Sequence, residues 1–136
     1  MKFATRIVSC PVDAAAGDVY EFARRMENMP RWAAGLVTEI VLENGTWFAE
    51  TPQGRIKIVM APRNEFGVLD HDVTMPDGFA THNAMRVTPV GDASLLSFVV
   101  LRPAQATDAE FDRDCALVAR DLETLGALVT TEGARR

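Results

Sequence analysis

The stretch TDAEFDRDCALVARDLETLGALVTT, residues 107–131, decides the fold of this chain. Its first four residues form a capping box, in which the side chains of Thr107 and Glu110 satisfy free amide hydrogens of the first helical turn. Apolar residues then recur at the period of one helix face: Phe111, Cys115, Val118, Leu122, Leu125 and Val129. The pattern predicts an amphipathic helix about 35 Å long that ends near Thr131, with Gly133 closing it.

Strand-like segments precede this helix. They are residues 1–10, 37–43, 47–51, 55–61, 67–75, 79–87 and 95–101. Asn44-Gly45 is the strongest hairpin signal between them, because both residues tolerate the positive φ of a tight turn. The alternation of apolar and polar residues, with short turns, predicts antiparallel pairing.

Two short helices are expected after the first strand, which Pro11 should end. Asp13 is a plausible N-cap for a helix over residues 14–26. A second helix or turn over residues 28–36 has Pro30 near its first position and Trp32 just after it.

This order of elements predicts an α+β fold. Helices kept apart from an antiparallel run favour a curved sheet wrapped around the long C-terminal helix, because the apolar stripe of that helix needs an apolar face. We expect one domain over residues 1–136, with residues 134–136 as a loose tail.

One hairpin can be read in register. Pro76-Asp77-Gly78 suits a three-residue turn with Gly78 in the left-handed conformation, which pairs Met75 with Phe79 and His71 with Asn83. The face predicted to point inward is mostly apolar and comprises Leu69, His71, Val73, Met75, Phe79, Thr81, Asn83, Met85 and Val87. The opposite face is polar, with Asp72 directly across from His82.

Three polar side chains interrupt the inward face: His71, Thr81 and Asn83. Buried polar groups need partners. His71 and Asn83 either satisfy each other inside a core, or line a cavity and bind a ligand, and the sequence leaves both interpretations open. His82 is expected to form only a surface pair with Asp72.

The remaining hairpins are less regular. The Asn-Gly turn pairs Leu42 with Trp47 and Ile40 with Ala49, which favours all four inward. The Pro-Gln-Gly turn, read as a three-residue loop, instead pairs Glu50 with Ile56. The two turns therefore disagree about the face of Glu50, and a bulge or a different loop length must lie between them. In the last strand Leu96, Phe98 and Val100 are expected to face inward.

Composition limits the class of protein. Fourteen basic and nineteen acidic residues give a net charge of −5, which disfavours nucleic acid and anionic membranes as partners. No signal-peptide pattern or membrane-spanning stretch is recognised, so we expect a cytoplasmic protein with free thiols at Cys10 and Cys115. No phosphate loop, HExxH, GxSxG or metal-ligand spacing occurs, so neither a metal nor a cofactor is predicted.

Several segments together resemble one family. Residues 11–22, the run Glu27-Asn28-Met29-Pro30-Arg31-Trp32, residues 64–71 and residues 111–125 are similar to the START/Bet v 1-like helix-grip (SRPBCC) superfamily, especially its polyketide cyclase/dehydrase and lipid-transport branch. The resemblance implies about seven antiparallel strands gripping the C-terminal helix around a hydrophobic cavity. It supplies no catalytic residue that can be transferred.

Three functions remain open on this basis. The first is binding or carrying a small hydrophobic molecule, such as a lipid, polyketide or quinone. The second is a cyclase or dehydratase with His71 as general acid/base. The third is a protein-interaction module, and a homodimer through a sheet edge or helix also stays open. The residues predicted to line the cavity are Trp32, Leu69, His71, Val73, Met75, Phe79, Thr81, Asn83, Met85, Phe98, Phe111, Val118 and Leu122.

Overall fold

The computed structural model describes residues 3–33 and 37–134. The strands are β1 (Thr5–Val12), β2 (Glu39–Glu43), β3 (Thr46–Thr51), β4 (Gly54–Met60), β5 (His71–Thr74), β6 (Ala80–Asn83), β7 (Met85–Val90) and β8 (Ala93–Leu101). The helices are α1 (Ala16–Ala23), α2 (Met29–Trp32) and α3 (Asp108–Ala134), with a 3₁₀ turn over Met26–Asn28 before α2. The predictions for residues 1–2, 34–36 and 135–136 lie outside the described residues.

The strands form two antiparallel sheets that meet at Ala84. One has the order β2-β3-β4-β5-β6 and the other the order β1-β8-β7. The predicted single strand over residues 79–87 is therefore two strands, and residues 3–33 and 37–134 contain eight strands rather than about seven. Ala84 lies between β6 and β7, and its carbonyl accepts a hydrogen bond from the amide of Val99 at 3.0 Å. The chain turns from one sheet to the other at this residue, which curves the whole surface around α3.

The register of the β5-β6 hairpin is confirmed. His71 pairs with Asn83, Asp72 with His82, and Val73 with Thr81. Gly78 has φ +93°, the left-handed conformation that the turn requires. The amide of Leu69 donates to the carbonyl of Met85 at 2.9 Å, which continues the predicted pairing past β5.

The conflict around Glu50 is resolved by loop length. Thr51 pairs with Gly54, so the turn holds only Pro52 and Gln53, and Glu50 pairs with Arg55 instead of Ile56. Ala49 then pairs with both Ile40 and Ile56. Ala49 and Ile56 are buried, and Glu50 lies on the other face in an ion pair with Arg55 at 3.2 Å.

The Asn-Gly hairpin forms as predicted, with one exception in burial. Leu42 pairs with Trp47, and both turn residues have positive φ, 50° at Asn44 and 79° at Gly45. Leu42, however, is 54% exposed rather than inward. It lies near the end of β2, which is an edge strand, so only one neighbouring strand covers it.

Helix α3 lies across the concave side of the sheets. The capping box is present: Thr107 Oγ1 accepts from the amide of Glu110, and Glu110 Oε1 accepts from the amide of Thr107, both at 3.1 Å. Of the predicted stripe, Val118 is half-buried and the other five residues are buried. Gly133 does not end the helix, which continues to Ala134.

The first helix is shorter than predicted. It begins at Ala16, and the N-cap position is held by Ala15 rather than by Asp13. Ser94 donates a hydrogen bond from its hydroxyl to the carbonyl of Ala14 at 2.9 Å, which holds this segment extended. Pro11 does not end β1, because β1 is an edge strand and can accommodate a residue without an amide hydrogen.

Candidate functional site

A cavity of about 380 Å³ lies between the inner face of the sheet and the N-terminal part of α3, with α2 at one end. Its size falls in the range of small-molecule sites, which are mostly apolar with a few placed polar groups. The apolar lining residues are Met29, Trp32, Ala33, Val37, Ile56, Ile58, Val73, Phe98, Val100, Leu101, Pro103, Leu117, Val118 and Leu122. The polar lining residues are His71, Thr81, His82, Asn83, Asp114 and Asp121.

Eight of the thirteen residues proposed from the sequence border this space. The predicted residues that line the cavity are Trp32, His71, Val73, Thr81, Asn83, Phe98, Val118 and Leu122. Thr81 lies at an exposed part of the wall, whereas His71 is buried. These residues come from α2, β5, β6, β8 and α3, so five elements meet at one space.

Five predicted lining residues lie elsewhere. Leu69 and Met85 are fully buried in the main hydrophobic core, where the sheet packs directly on the helices, and Met75 packs against that core from its edge. Phe79 is 62% exposed, because it follows the turn at the end of the hairpin, where no element covers it. Phe111 packs with Val100 and Cys115 in a separate small cluster.

His71 is a neutral hydrogen-bond acceptor in the cavity wall. Its side chain is 7% exposed, and Nδ1 lies 2.9 Å from the carbonyl oxygen of Leu69. A carbonyl only accepts, so Nδ1 carries the proton and Nε2 is left as an acceptor. Burial lowers the pKa of His71, only partly opposed by the Leu69 carbonyl and by Asp70. The ring of Phe98 stands edge-on beside it, with 5.9 Å between centroids.

His71 and Asn83 lie opposite each other in the sheet as expected, but their side chains form no hydrogen bond with each other. Within the part of the chain that the structure describes, the only hydrogen bond to the His71 side chain is the one to Leu69. The sequence left open whether these two polar residues satisfy each other or face a cavity. The geometry places both at the cavity.

Trp32 contributes an unsatisfied donor to the wall. The residue is 4% exposed, and its indole nitrogen has no hydrogen-bond partner among residues 3–33 and 37–134. A buried polar group without a partner costs about 1–3 kcal/mol, so such groups are uncommon in a packed core.

Asp121 is the main polar residue that sequence reasoning missed. It is half-buried on α3 and borders the cavity one position before Leu122. Burial raises its pKa to about 6, with Arg120 partly opposing the shift. The signal was available in the helical period: Asp114, Leu117 and Asp121 follow each other at spacings of 3 and 4, beside the apolar stripe.

The polar outer face of the β5-β6 hairpin forms a charge network. His82 Nδ1 lies 2.6 Å from Asp72 Oδ1, as the register predicted, and its Nε2 lies 3.4 Å from Asp70 Oδ2. The hydrogen bond to Asp72 is the largest cause of the raised pKa of His82. Asp70 also accepts from Arg86, at 3.1 Å. His82 reaches the edge of the cavity, which was not expected.

Among residues 3–33 and 37–134, no group of three or more His, Cys, Asp or Glu side chains is arranged to hold a metal ion. Within the same ranges, no helix combines the length and the apolar character needed to cross a bilayer.

Comparison with known proteins identifies the fold. No protein-family model matches the chain, and no curated protein matches it. Solved structures do match. An uncharacterised protein from Bacillus thuringiensis has a TM-score of 0.72 at 14% identity, with 93% of this chain and 99% of that one covered. A START superfamily protein from Mycobacterium smegmatis has a TM-score of 0.68 at 11% identity, over 93% and 97% of the two chains.

A third match is an enzyme. A truncated norcoclaurine synthase from Thalictrum flavum has a TM-score of 0.62 at 13% identity, over 95% of this chain and 96% of that one. The chain therefore has the helix-grip fold of START and Bet v 1-like proteins. At these identities the likeness concerns the fold alone.

Proposed function

We propose that this protein binds a small hydrophobic molecule, of the lipid, polyketide or quinone kind, in the cavity between the sheet and α3. The observation that carries the proposal is the cavity itself: about 380 Å³ of mostly apolar wall at the place where a packed core would otherwise lie. Polar side chains at a few positions, including His71 and Asn83, would orient the ligand. The START-type fold is consistent with this function but does not establish it.

An interaction module fits the same observations less well. A protein that acts only through surface contacts gains nothing from a cavity beneath α3, because an unfilled cavity lowers stability.

The free thiols of Cys10 and Cys115 support our further proposal that the protein works in the reducing cytoplasm.

The direct test is native mass spectrometry of the purified protein, followed by denaturing extraction of any bound molecule. We expect a reproducible apolar compound at one copy per chain. Protein molecules that carry no compound can be titrated with the uncharged probe 4-phenylbutanol. Tryptophan fluorescence reports its binding, since Trp32 lines the cavity.

A matched pair of variants on α3 locates the binding. Val118→Trp fills the cavity, whereas Ala116→Trp adds the same ring at an exposed position of the same helix. We expect the first variant to lose the bound compound and the probe, and the second to retain both, with both variants folded by circular dichroism. Equal binding by the two variants would exclude the cavity as the site.

A second candidate function is catalysis with His71 as general base. The observation in its favour is the neutral imidazole with Nε2 unbonded at the cavity, in a wall that also carries an acidic group, Asp121. If the extracted compound is converted to a product by the purified protein, His71→Gln should abolish turnover while binding persists. If the compound is unchanged after long incubation with the wild-type protein, the catalytic hypothesis is rejected and the binding function remains.

A further inference from the structure

One wall of the cavity carries two carboxylates, Asp114 and Asp121, that form no ion pair with the described residues. Asp121 makes no hydrogen bond or ion pair with any residue in the described ranges, although it is half-buried. Two other half-buried carboxylates are paired: Asp70 accepts from Arg86, and Glu21 accepts from Arg24. Among the described residues, Asp121 therefore has its hydrogen-bonding positions free for a ligand, and only the neighbouring Arg120 acts on its charge.

The acidic side chains of the cavity wall face no Lys or Arg across the described lining residues. Among the described lining residues the ionisable side chains are Asp114 and Asp121 on α3, His71 on β5 and His82 on β6, and there is no Lys or Arg. His82 is already held by Asp72 and Asp70 on the outer face. A ligand therefore meets the half-buried carboxylate of Asp121 in an apolar wall, where charge is screened less than in water, and the exposed carboxylate of Asp114 at the edge of the cavity.

A second, independent observation concerns His71. Its side chain is more than nine-tenths buried, Nδ1 donates to Leu69, and Nε2 has no partner among the described residues. Nε2 of a neutral imidazole accepts hydrogen bonds and donates none. The two unpartnered acceptors of the wall, His71 Nε2 and the Asp121 carboxylate, thus call for a ligand that donates, whereas the indole nitrogen of Trp32 is an unpartnered donor.

We propose that the ligand is an apolar molecule bearing a protonated amine, whose N–H groups donate to the Asp121 carboxylate, while a second donor of the ligand bonds to His71 Nε2. The proposal rests on the function proposed above and names the class of ligand. It also disfavours fatty acids and other apolar carboxylates, because their charge would be repelled by Asp114 and Asp121.

The ionisation of Asp121 agrees with this pairing. Burial raises its pKa to about 6, so near pH 7 the group is ionised at a cost in desolvation. An ammonium group beside it offsets that cost and lowers the same pKa. Protonation of Asp121 below pH 6 removes the attraction.

Three probes with one apolar part test the head group: 4-phenylbutylamine, 4-phenylbutanol and 4-phenylbutyrate, titrated calorimetrically at pH 7.5. Alcohol binding measures the cavity alone. We expect the amine to bind about tenfold more tightly than the alcohol, since a hydrogen bond to a charged group is worth roughly one decade of affinity, and the carboxylate to bind most weakly. At pH 5 the advantage of the amine should shrink.

Two charge-removing variants of α3 sharpen the test. Asp121→Asn should lower amine affinity to the level of the alcohol and leave alcohol affinity unchanged. Glu123→Gln, an exposed position outside the cavity on the same helix, should leave all three affinities unchanged. An amine that binds no better than the alcohol, or whose advantage survives Asp121→Asn, overturns the ligand class while the cavity function stands. No binding by any probe refutes both proposals together.

Discussion

The two ends of the space under α3 differ although the extended β5-β6 hairpin contributes to both. At one end Leu69 and Met85 belong to one core with Leu125, at 0–1% exposure. At the other end Val73 and Val118, only a few residues along the chain from Leu69 and Leu125, border an open cavity. The alternation of the strands is identical in both regions. What differs is the helix that covers each end: α1 contacts α3 and β7 at the packed end, and the short α2 contacts α3 at the other.

The largest expected effect compares truncations at the two ends. Leu125→Ala should lower the free energy of unfolding by about 2–5 kcal/mol, because it opens a cavity in a filled core. Val118→Ala should cost about 1 kcal/mol or less, because the methyl groups it removes already border open space. Denaturant unfolding of both variants measures the difference. Equal losses would mean that both ends are packed alike.

The second prediction contrasts the two histidines of one hairpin. Burial lowers the pKa of His71, whereas Asp72 raises that of His82. A nitrogen-detected titration should show His82 charging first as pH falls, with His71 still neutral and protonated on Nδ1. In the unfolded chain His71 takes up a proton with the ordinary histidine pKa of about 6.5, whereas in the folded protein it stays neutral to lower pH. The free energy of unfolding should therefore fall as pH drops below about 6.5.

His71→Gln provides the control for that loss, since the variant should lack this part of the pH dependence. A His71 that titrates above His82 would contradict the buried, neutral imidazole.

A third and smaller effect concerns Asp121. Its folded pKa of about 6 lies above the ordinary value of about 3.9, so the native state holds the proton more tightly between these limits. Wild-type protein should therefore gain stability as pH falls from 6 to 4, relative to Asp121→Asn. The variant should melt at a higher temperature at pH 8 and at the same temperature near pH 3.5. Glu123→Gln, which changes the same charge at an exposed site, should show no such pH-dependent difference.

The register of two hairpins, β2-β3 and β5-β6, could be predicted because it depends on local chemistry. Gly78 and Asn44-Gly45 fix two turns. The alternation of side chains along each strand then shows which of them point to the same face. Facing is not the same as burial, as Phe79 illustrates: it lies on the inner side but beyond the elements that cover that side. Burial depends on where α3 crosses the sheet, and no local pattern encodes that position.

The site was harder to predict for the same reason. His71 could be found because a polar residue on an apolar face is conspicuous in the sequence. Asp121 was missed because it lies beside the apolar stripe and looks like an ordinary solvent-facing residue until the sheet is placed next to it. Ile56 and Ile58 were assigned to a strand, but the unresolved register around Glu50 left their face undetermined.

The smallest effect is expected on the outer face of the hairpin. Asp72→Asn removes the hydrogen bond to His82, so the pKa of His82 should fall toward its ordinary value. The pair is exposed, and exposed pairs contribute little, so the unfolding midpoint should not change measurably. Probe binding in the cavity should also be unaffected. A clear loss of binding would show that the outer face takes part in the site.

The central claim is that the end under α2 is open and the opposite end is closed. Intermolecular NOEs between 4-phenylbutanol and the methyl groups of the labelled protein test it most directly. The structure predicts contacts to Ile58, Val73 and Val118, and none to Leu69 or Leu125. Contacts confined to surface methyl groups, or contacts to Leu69 and Leu125 in place of the cavity wall, would contradict the account.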